Sequence, residues 1–394
     1  VNGNAGLPIF RSMEYLLLII LAYLVFTSLV LIRNWFDFRG INDLESAQSS
    51  EADSPLVSIC IPARNEEVVI KRCVTSALLQ NYPNIEVLVL DDNSTDQTSN
   101  ILANIAAHNT GLKHLSGEPK PEGWFGKPWA CHQLSEQAQG EYLVFIDADT
   151  WLEKETISNT VNALQSTDAL TIWPQQHFGS FWERMQIPLI YHALFTLLPA
   201  KYVECKPRWL PKKLYPLMKE NFAAACGQFV AFSKQSYKKI GGHKQVRDEI
   251  VEDVALARNL RGKDCTLTMY HGVNAVHCRM YRSHKELFEG LRKNFFAGFG
   301  KRPLPFIAMA LLSLFVFVLP FFLVFSGIPF VRQLALFSIF IIWLQRWLLD
   351  FRFGWNPLIS FLHPVSVFWY QVLGATCLSD YFKGRPAKWK GRDV

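Results

Sequence analysis

The chain has 394 residues, room for two or three domains, and its 50% hydrophobic and 14% aromatic content is rich for a purely soluble protein. The net charge of +6 gathers beside the hydrophobic blocks, without a basic stripe interleaved with aromatics, which points away from nucleic acid and toward a membrane face. The 8 cysteines are scattered with no C-x-x-C pair, a pattern of reduced thiols in a cytosolic domain rather than of a disulfide framework or a zinc site.

Residues 14–32 form a nearly uncharged apolar run, long enough to span a bilayer and followed by Arg33 and Arg39. Basic residues just after a span place the next domain in the cytoplasm. No small-x-small cleavage site follows, so the run reads as an uncleaved signal anchor rather than a signal peptide. Residues 43–55, rich in Ser, Ala and acids, read as a linker. A globular domain over 55–300 comes next. It opens with a predicted strand over 56–62, stopped by Pro62, and Ala63-Arg64-Asn65-Glu66-Glu67 leads into a helix over 68–80. A strand over 86–90 ends in Asp91-Asp92-Asn93-Ser94-Thr95-Asp96, and a helix follows over 97–108. The segment Gly123-Trp124-Phe125-Gly126-Lys127-Pro128-Trp129-Ala130 runs into a helix over 128–137. The strand over 142–146 then ends in Asp147-Ala148-Asp149. Strand-helix alternation at this spacing predicts an α/β fold whose sheet is mixed, mainly parallel and covered by helices.

The pair Asp147 and Asp149 stands where open α/β sheets bind ligands, at a strand's carboxyl end. Along an extended segment both side chains project to one side. Two convergent carboxylates suit a hard divalent cation that also holds phosphates, Mg²⁺ or Mn²⁺. A strand-end turn with solvated acids is the plain alternative, and the residues taken alone leave both open.

Beyond Trp173 the pattern changes. Residues 181–198 mix Trp, Phe, Ile and Leu with Glu183, Arg184, Gln186 and His192, too polar to span yet suited to a bilayer surface. The basic-aromatic patch 206–213 fits the same interfacial segment, 181–213; a core helix followed by a surface loop is the competing reading. A small-residue stretch surrounds Gly227-Gln228. A helix over 249–261 carries Glu252 and Asp253 early, and strands near 266–269 and 273–277 precede Arg279-Met280-Tyr281-Arg282. His277 beside Cys278 lacks companion ligands and reads as strand packing. A C-terminal membrane region over 304–378 holds two spans, 304–325 and 330–349, and a more polar third, 357–377. If the third crosses, the basic tail over 379–394 (Lys383, Arg385, Lys388, Lys390, Arg392) lies outside, against the positive-inside rule; charge therefore favours a re-entrant or interfacial segment.

Taken together, Ile61-Pro62-Ala63-Arg64-Asn65-Glu66-Glu67, Asp91-Asp92-Asn93-Ser94-Thr95-Asp96, Asp147-Ala148-Asp149 and Glu252-Asp253 resemble, in order and spacing, a membrane-anchored glycosyltransferase of family 2 with a GT-A-type domain over about 58–299. The segments 123–130, 252–258 and 279–283 look like the subgroup associated with carotenoid and hopanoid biosynthesis. The resemblance implies a cytoplasmic catalytic domain on a bacterial inner membrane and inverting transfer of a hexose, glucose, from a UDP-sugar to the hydroxyl of a membrane lipid. Transfer to a polyprenyl phosphate or a glycan, and a catalytically silent membrane scaffold, are the alternatives. Asp253 is then the general base. Asp149 is the metal ligand, with Asp147 at the metal or the donor. Pro62, Ala63, Asn65, Glu66, Lys127, Arg279 and Arg282 fall on the donor side, and Asp91 or Asp92 contacts the nucleoside. Gly227, Gln228 and Glu252 fall on the acceptor side. Asp91 also suits an Asx-turn capping the next helix, and Lys127 also suits a solvated surface. The wider family often carries Q-x-x-R-W where this chain has Arg282-Ser283, a departure that argues against a processive polymer synthase.

Overall fold

The computed structural model describes residues 7–44, 54–385, 388–389 and 392–393. Residues 45–53 of the predicted linker, and residues 386–387, 390–391 and 394 of the basic tail, lie outside the described residues. After the long helix α1 (Leu7–Asp37) come β1 (Val57–Ala63), α2 (Ile70–Leu78), β2 (Ile85–Asp91), α3 (Thr98–His108), β3 (Leu112–Ser116), α4 (Gly126–Gln137) and β4 (Tyr142–Ile146). β1, β2 and β4 are buried along nearly their whole length, and mostly apolar, because helices cover both faces of a parallel sheet. The chain continues through β5 (Thr150–Leu152), α5 (Thr156–Leu164), β6 (Ala169–Gln176), α6 (Phe181–Leu197), α7 (Lys201–Glu204), α8 (Tyr215–Met218), β7 (Phe229–Ser233), α9 (Lys234–Ile240), α10 (Glu252–Gly262), β8 (Leu267–Cys278) and α11 (His284–Phe295).

The eight strands make one sheet in the order β3-β2-β1-β4-β7-β6-β8-β5. β7 runs antiparallel to β4 and β6, and β5 to β8, while the other four pairings are parallel. This is the expected mixed α/β sheet with flanking helices. One difference lies in β8, a single strand of 12 residues where the pattern predicts two. Ladder bonds to β6 carry it across Tyr270-His271-Gly272, and Asn274, at φ 58°, takes up the irregularity. In register, Ala63 faces Asp91 and Cys60 faces Phe145, so the ends of β1, β2 and β4 open onto one edge.

The remaining helices are α12 (Pro303–Phe317), α13 (Leu319–Leu323), α14 (Pro329–Phe353) and α15 (His363–Phe382). α12 and α13 are parted at Val318, just before Pro320, which has no N–H to continue the ladder. Among the described residues, four helices are long and apolar enough to cross a membrane: Ser12–Asp37, Pro303–Leu323, Pro329–Phe353 and Pro357–Phe382. α1 and α14 run side by side, tied by polar contacts inside the apolar layer. Gln345 Nε2 donates to Leu24 O, Thr27 Oγ1 and Ser28 Oγ, and Arg352 donates to Trp35 O at 2.8 Å and Phe38 O at 2.7 Å. Arg352 thereby caps the end of α1 with a cation, where the helix dipole favours one.

α6 is no surface amphipath. Its Met185, Gln186, Ile187, Tyr191, His192 and Phe195 are buried between the sheet and the apolar helices, with Phe181, Trp182 and Leu197 exposed. Asn34 of α1 clamps its far end, donating to Phe195 O and Leu198 O and accepting from Ala200 N. The more polar segment of 357–382 leaves and rejoins the sheet domain. Trp355 Nε1 donates to Gln176 O on β6, and Asp380 accepts from Arg292 Nε on α11 at 2.7 Å. Between those ends Phe361 packs on Trp343 and Trp347 of α14.

Candidate active site

The β1–α2 and β2–α3 loops are laced together before any ligand arrives. Asn65 N donates to Ser94 Oγ, Thr95 N to Asn65 Oδ1, Glu66 N to Thr98 Oγ1 and Glu67 N to Asp96 Oδ2. Asn65 and Asn93 both sit at positive φ (53° and 54°), a conformation that asparagine tolerates. Within this lattice the two neighbouring acids separate. Asp91 Oδ1 accepts from Ser94 N at 3.0 Å, closing the loop over three residues, whereas the acid that meets the start of α3 is not Asp91 but Asp96, whose Oδ1 accepts from Thr98 N. Asp92 is buried and lines the cavity above the strand ends together with Pro62, Ala63, Asn65 and Glu66.

That cavity, about 1280 Å³, also holds Asp147 and Asp149. The two are not in an extended strand, as alternation supposes: Thr150 N donates to Asp147 O at 3.0 Å, closing a turn. The turn follows β4 directly and brings both acids to the cavity by another geometry. Asp147 N donates to Gln228 O, and Asp149 Oδ1 is 3.5 Å from both Cys278 Sγ and Thr150 Oγ1.

Lys127, at the start of α4, reaches Asp147 Oδ1 at 2.6 Å and Glu252 Oε1 at 2.8 Å, so it is no solvated surface lysine. Burial opposes its charge, but the two carboxylates outweigh burial and hold the ammonium well above its ordinary range. In turn Glu252, which burial alone would push up, is held below the usual carboxylate range chiefly by Lys127. Its neighbour Asp253 goes the other way. Burial first, and the Glu252 charge second, raise it from 3.8 to about 6, against the opposing pull of Lys127 and two backbone amides. Those amides are Gly227 N, 2.6 Å from Oδ2, and Val254 N, 2.8 Å from Oδ1. Two adjacent carboxylates pushed apart in this way suit one to support and the other to take a proton.

Gln228 is placed differently from its expected acceptor-side role. It is buried, its Oε1 accepts from Gln176 Nε2 at 2.8 Å and its Nε2 is 3.0 Å from Cys278 Sγ, so it forms the floor beneath Asp147. Arg279 borders the cavity but is committed to Glu183 (Nε to Oε2 3.2 Å), the buried acid that caps α6. Arg282 is exposed on the same wall, with its backbone N–H bonded to Glu286. His277 packs against Trp151 and pairs with Glu153 and His177, as strand packing predicts.

One residue of this site has no sequence signal. Lys293 of α11 lines the cavity, and burial lowers its ammonium while Glu252 favours the charge. No motif surrounds it; its place is set by the packing of α11 on α15.

The donor set can be tested against a metal. No group of three or more His, Cys, Asp and Glu side chains converges among the described residues. Asp147 and Asp149 supply two oxygen ligands on one cavity wall, with room for phosphates and water to complete the shell. That arrangement fits Mg²⁺ or Mn²⁺, which bind through one or two carboxylates plus substrate phosphates.

Residues 58–199 match the family model described as Glycosyl transferase family 2. The chain is 28% identical over 252 residues to a 4,4'-diaponeurosporenoate glycosyltransferase of Staphylococcus aureus strain USA300; that alignment spans 62% of this chain and 62% of the relative. Against the protein of the same name from strain MRSA252 it is 25% identical over 349 residues, 85% of this chain and 87% of the relative. Among solved structures it resembles a mannosyltransferase from Pyrobaculum calidifontis in complex with GDP-Man and Mn²⁺, with TM-score 0.51, 16% identity, and 94% and 99% of the two chains covered. The shared architecture is the GT-A-like mixed sheet.

Proposed function

We propose that this chain, a family 2 glycosyltransferase through its residues 58–199, is an inverting hexosyltransferase that moves glucose from UDP-glucose to a hydroxyl of a membrane lipid. One observation carries the reading. The cavity that holds Asp92, Asp147, Asp149 and Asp253 continues without a break between the apolar helices α12 and α15, past Phe306, Met309 and Phe317. A soluble acceptor would need no such lining; a membrane lipid would use it, and the Staphylococcus relative is named for one acceptor, 4,4'-diaponeurosporenoate.

In this mechanism the acceptor oxygen attacks the anomeric carbon from the face opposite the diphosphate. The bond from that carbon to the diphosphate oxygen breaks, and its electron pair leaves on the nucleotide. Asp253, fixed by two amides, takes the acceptor proton as the new bond forms. Lys127 holds Asp147 in place and offsets charge building on the leaving group. Arg282, on the exposed wall, adds a second cation. Asp92 contacts the nucleoside. A divalent ion held by Asp149 and Asp147 would supply Lewis-acid neutralisation of the diphosphate. The basic flank after α1 supports a cytoplasmic catalytic domain on the inner membrane.

The experiment uses full-length protein in vesicles of bacterial lipid extract, with radiolabelled UDP-glucose or GDP-mannose and Mg²⁺ or Mn²⁺. Label in the organic phase from UDP-glucose is expected. Normal donor binding without lipid-extractable label would overturn the reading, and label from GDP-mannose alone would reassign the donor.

A further inference from the structure

Beneath the Asp147–Thr150 turn lies a row of polar side chains that the proposed chemistry does not use. The sheet register assembles it. β8 places Cys278 opposite Gln176 of β6 and opposite Thr150 of β5, the residue that follows Asp149. Gln228, just ahead of β7, bridges Gln176 and Cys278, and all three are buried. Amides in such a place are costly unless each finds a partner.

The partners run in one direction. Tyr191 Oη donates to Pro174 O at 2.6 Å, so it accepts from Gln176 Nε2 at 3.3 Å. The same nitrogen donates to Gln228 Oε1 at 2.8 Å, which leaves the Gln228 amide nitrogen to donate to Cys278 Sγ at 3.0 Å. A thiol carries its proton at neutral pH, and the Cys278 S–H donates to Asp149 Oδ1 at 3.5 Å. Trp355 Nε1 holds the other end through the Gln176 carbonyl. The row therefore begins on α6 and on the segment after α14, and it ends on a carboxylate of the cavity wall.

We propose that Cys278 is a positioning residue for the divalent ion: its thiol holds Asp149 Oδ1 to the floor and so fixes where the second carboxylate oxygen meets the metal. The inference rests on the reading of Asp149 as a metal ligand and adds the partner that orients it. Cys278 acts through Asp149 and needs no access to the cavity. A thiol suits the task because it is a weak donor, directing the carboxylate without cancelling the charge that attracts the ion. Partners of this kind behind a ligating group carry about 10–100-fold of metal affinity.

The test is Mn²⁺ binding to the detergent-solubilised full-length protein in the presence of UDP, followed by EPR of the free ion, beside UDP binding in EDTA. Cys278→Val fills the thiol's space without a donor, and Cys278→Ser keeps a donor at the expense of apolar packing. Cys278→Val is expected to weaken Mn²⁺ about tenfold and to leave UDP affinity in EDTA unchanged, while Cys278→Ser stays within about threefold of the unmodified protein. A packing role alone predicts the opposite order, because a buried hydroxyl costs more than a methyl group. If Cys278→Val binds Mn²⁺ as tightly as the unmodified protein, or more tightly than Cys278→Ser, the inference falls. An equal loss of UDP affinity in EDTA would also overturn it, making Cys278 a support of the nucleotide pocket. If Mn²⁺ brings the unmodified protein no gain in UDP affinity, the fault lies in the metal reading of Asp149 itself, and the inference goes with it.

Discussion

Gly227 gives its amide to Asp253 Oδ2 at 2.6 Å, and a Cβ at position 227 would stand 3.1 Å from that same oxygen. The same Cβ would also be 3.1 Å from Lys127 Nζ. The glycine is therefore a matter of space, because it lets the backbone approach both charged groups. Gly227→Ala is expected to displace the Asp253 carboxylate by a few tenths of an ångström and to lower kcat about 10-fold. Nucleotide binding, followed by calorimetry, should be unchanged.

Asp253 titrates near 6, so its base form is lost on the acid side of neutrality. The rate of transfer should fall as pH drops through about 6, approaching tenfold per unit below it. For stability the sign is reversed. A carboxyl raised above 3.8 favours the fold while protonated, so its contribution is fully present below about 4 and is lost as pH rises through about 6. Asp253→Asn should remove the acid limb of the rate profile together with at least about 100-fold of the rate.

Lys127 separates two carboxylates that would otherwise face each other across the cavity. Lys127→Met removes the cation that both Asp147 and Glu252 contact. Because about a third of the lysine side chain is open to the cavity, the expected loss is about 1–3 kcal/mol rather than that of a wholly buried pair. Millimolar Mg²⁺ should restore part of the unfolding midpoint in this variant, a rescue that a simple packing defect would not show.

Asp149→Asn separates the metal from the rest of the site. UDP affinity measured with Mn²⁺ is expected to drop about tenfold or more, while the weaker affinity measured in EDTA stays the same. Equal losses under both conditions would assign Asp149 to the nucleotide rather than the ion.

A cytoplasmic basic tail is the expectation for a segment 357–382 that does not cross the bilayer. Trp355 and Asp380 both hold to the sheet domain. A cysteine at Lys383, with the native thiols blocked beforehand, should react with an impermeant maleimide in inside-out vesicles and resist it in right-side-out ones. The reverse pattern would make α15 a crossing helix.

The motif residues were legible because each sits within a few positions of a strand end or helix start, where local pattern and chemistry coincide. Asp147, Asp149 and Asp253 all reach the cavity for that reason, and Lys127 owes its place to the first turn of α4. What local pattern could not convey is anything that depends on distant partners. Asp91 and Asp92 are indistinguishable as neighbours until Ser94 takes one of them. Arg279 looked available for phosphate until α6 brought Glu183 beside it, and Lys293 enters only because α11 packs on α15. The turn at Asp147–Thr150 shows a different limit: the right residues arrived through a geometry that alternation does not describe. The apolar helices were readable from length and hydropathy. Their polar ties, such as Gln345 to Leu24, join residues 321 apart.

The joint between α1 and the sheet domain has a mechanical consequence. Arg352 grips the last carbonyls of α1, Asn34 grips the end of α6, and Gly40 pairs with His271 on β8. α1 is thus a post and not a tether, and the sheet domain keeps one distance and one heading from it. On the proposed lipid-transfer reading, turnover would require the acceptor to travel to Asp253, because the joint leaves the domain no swing with which to reach down for it.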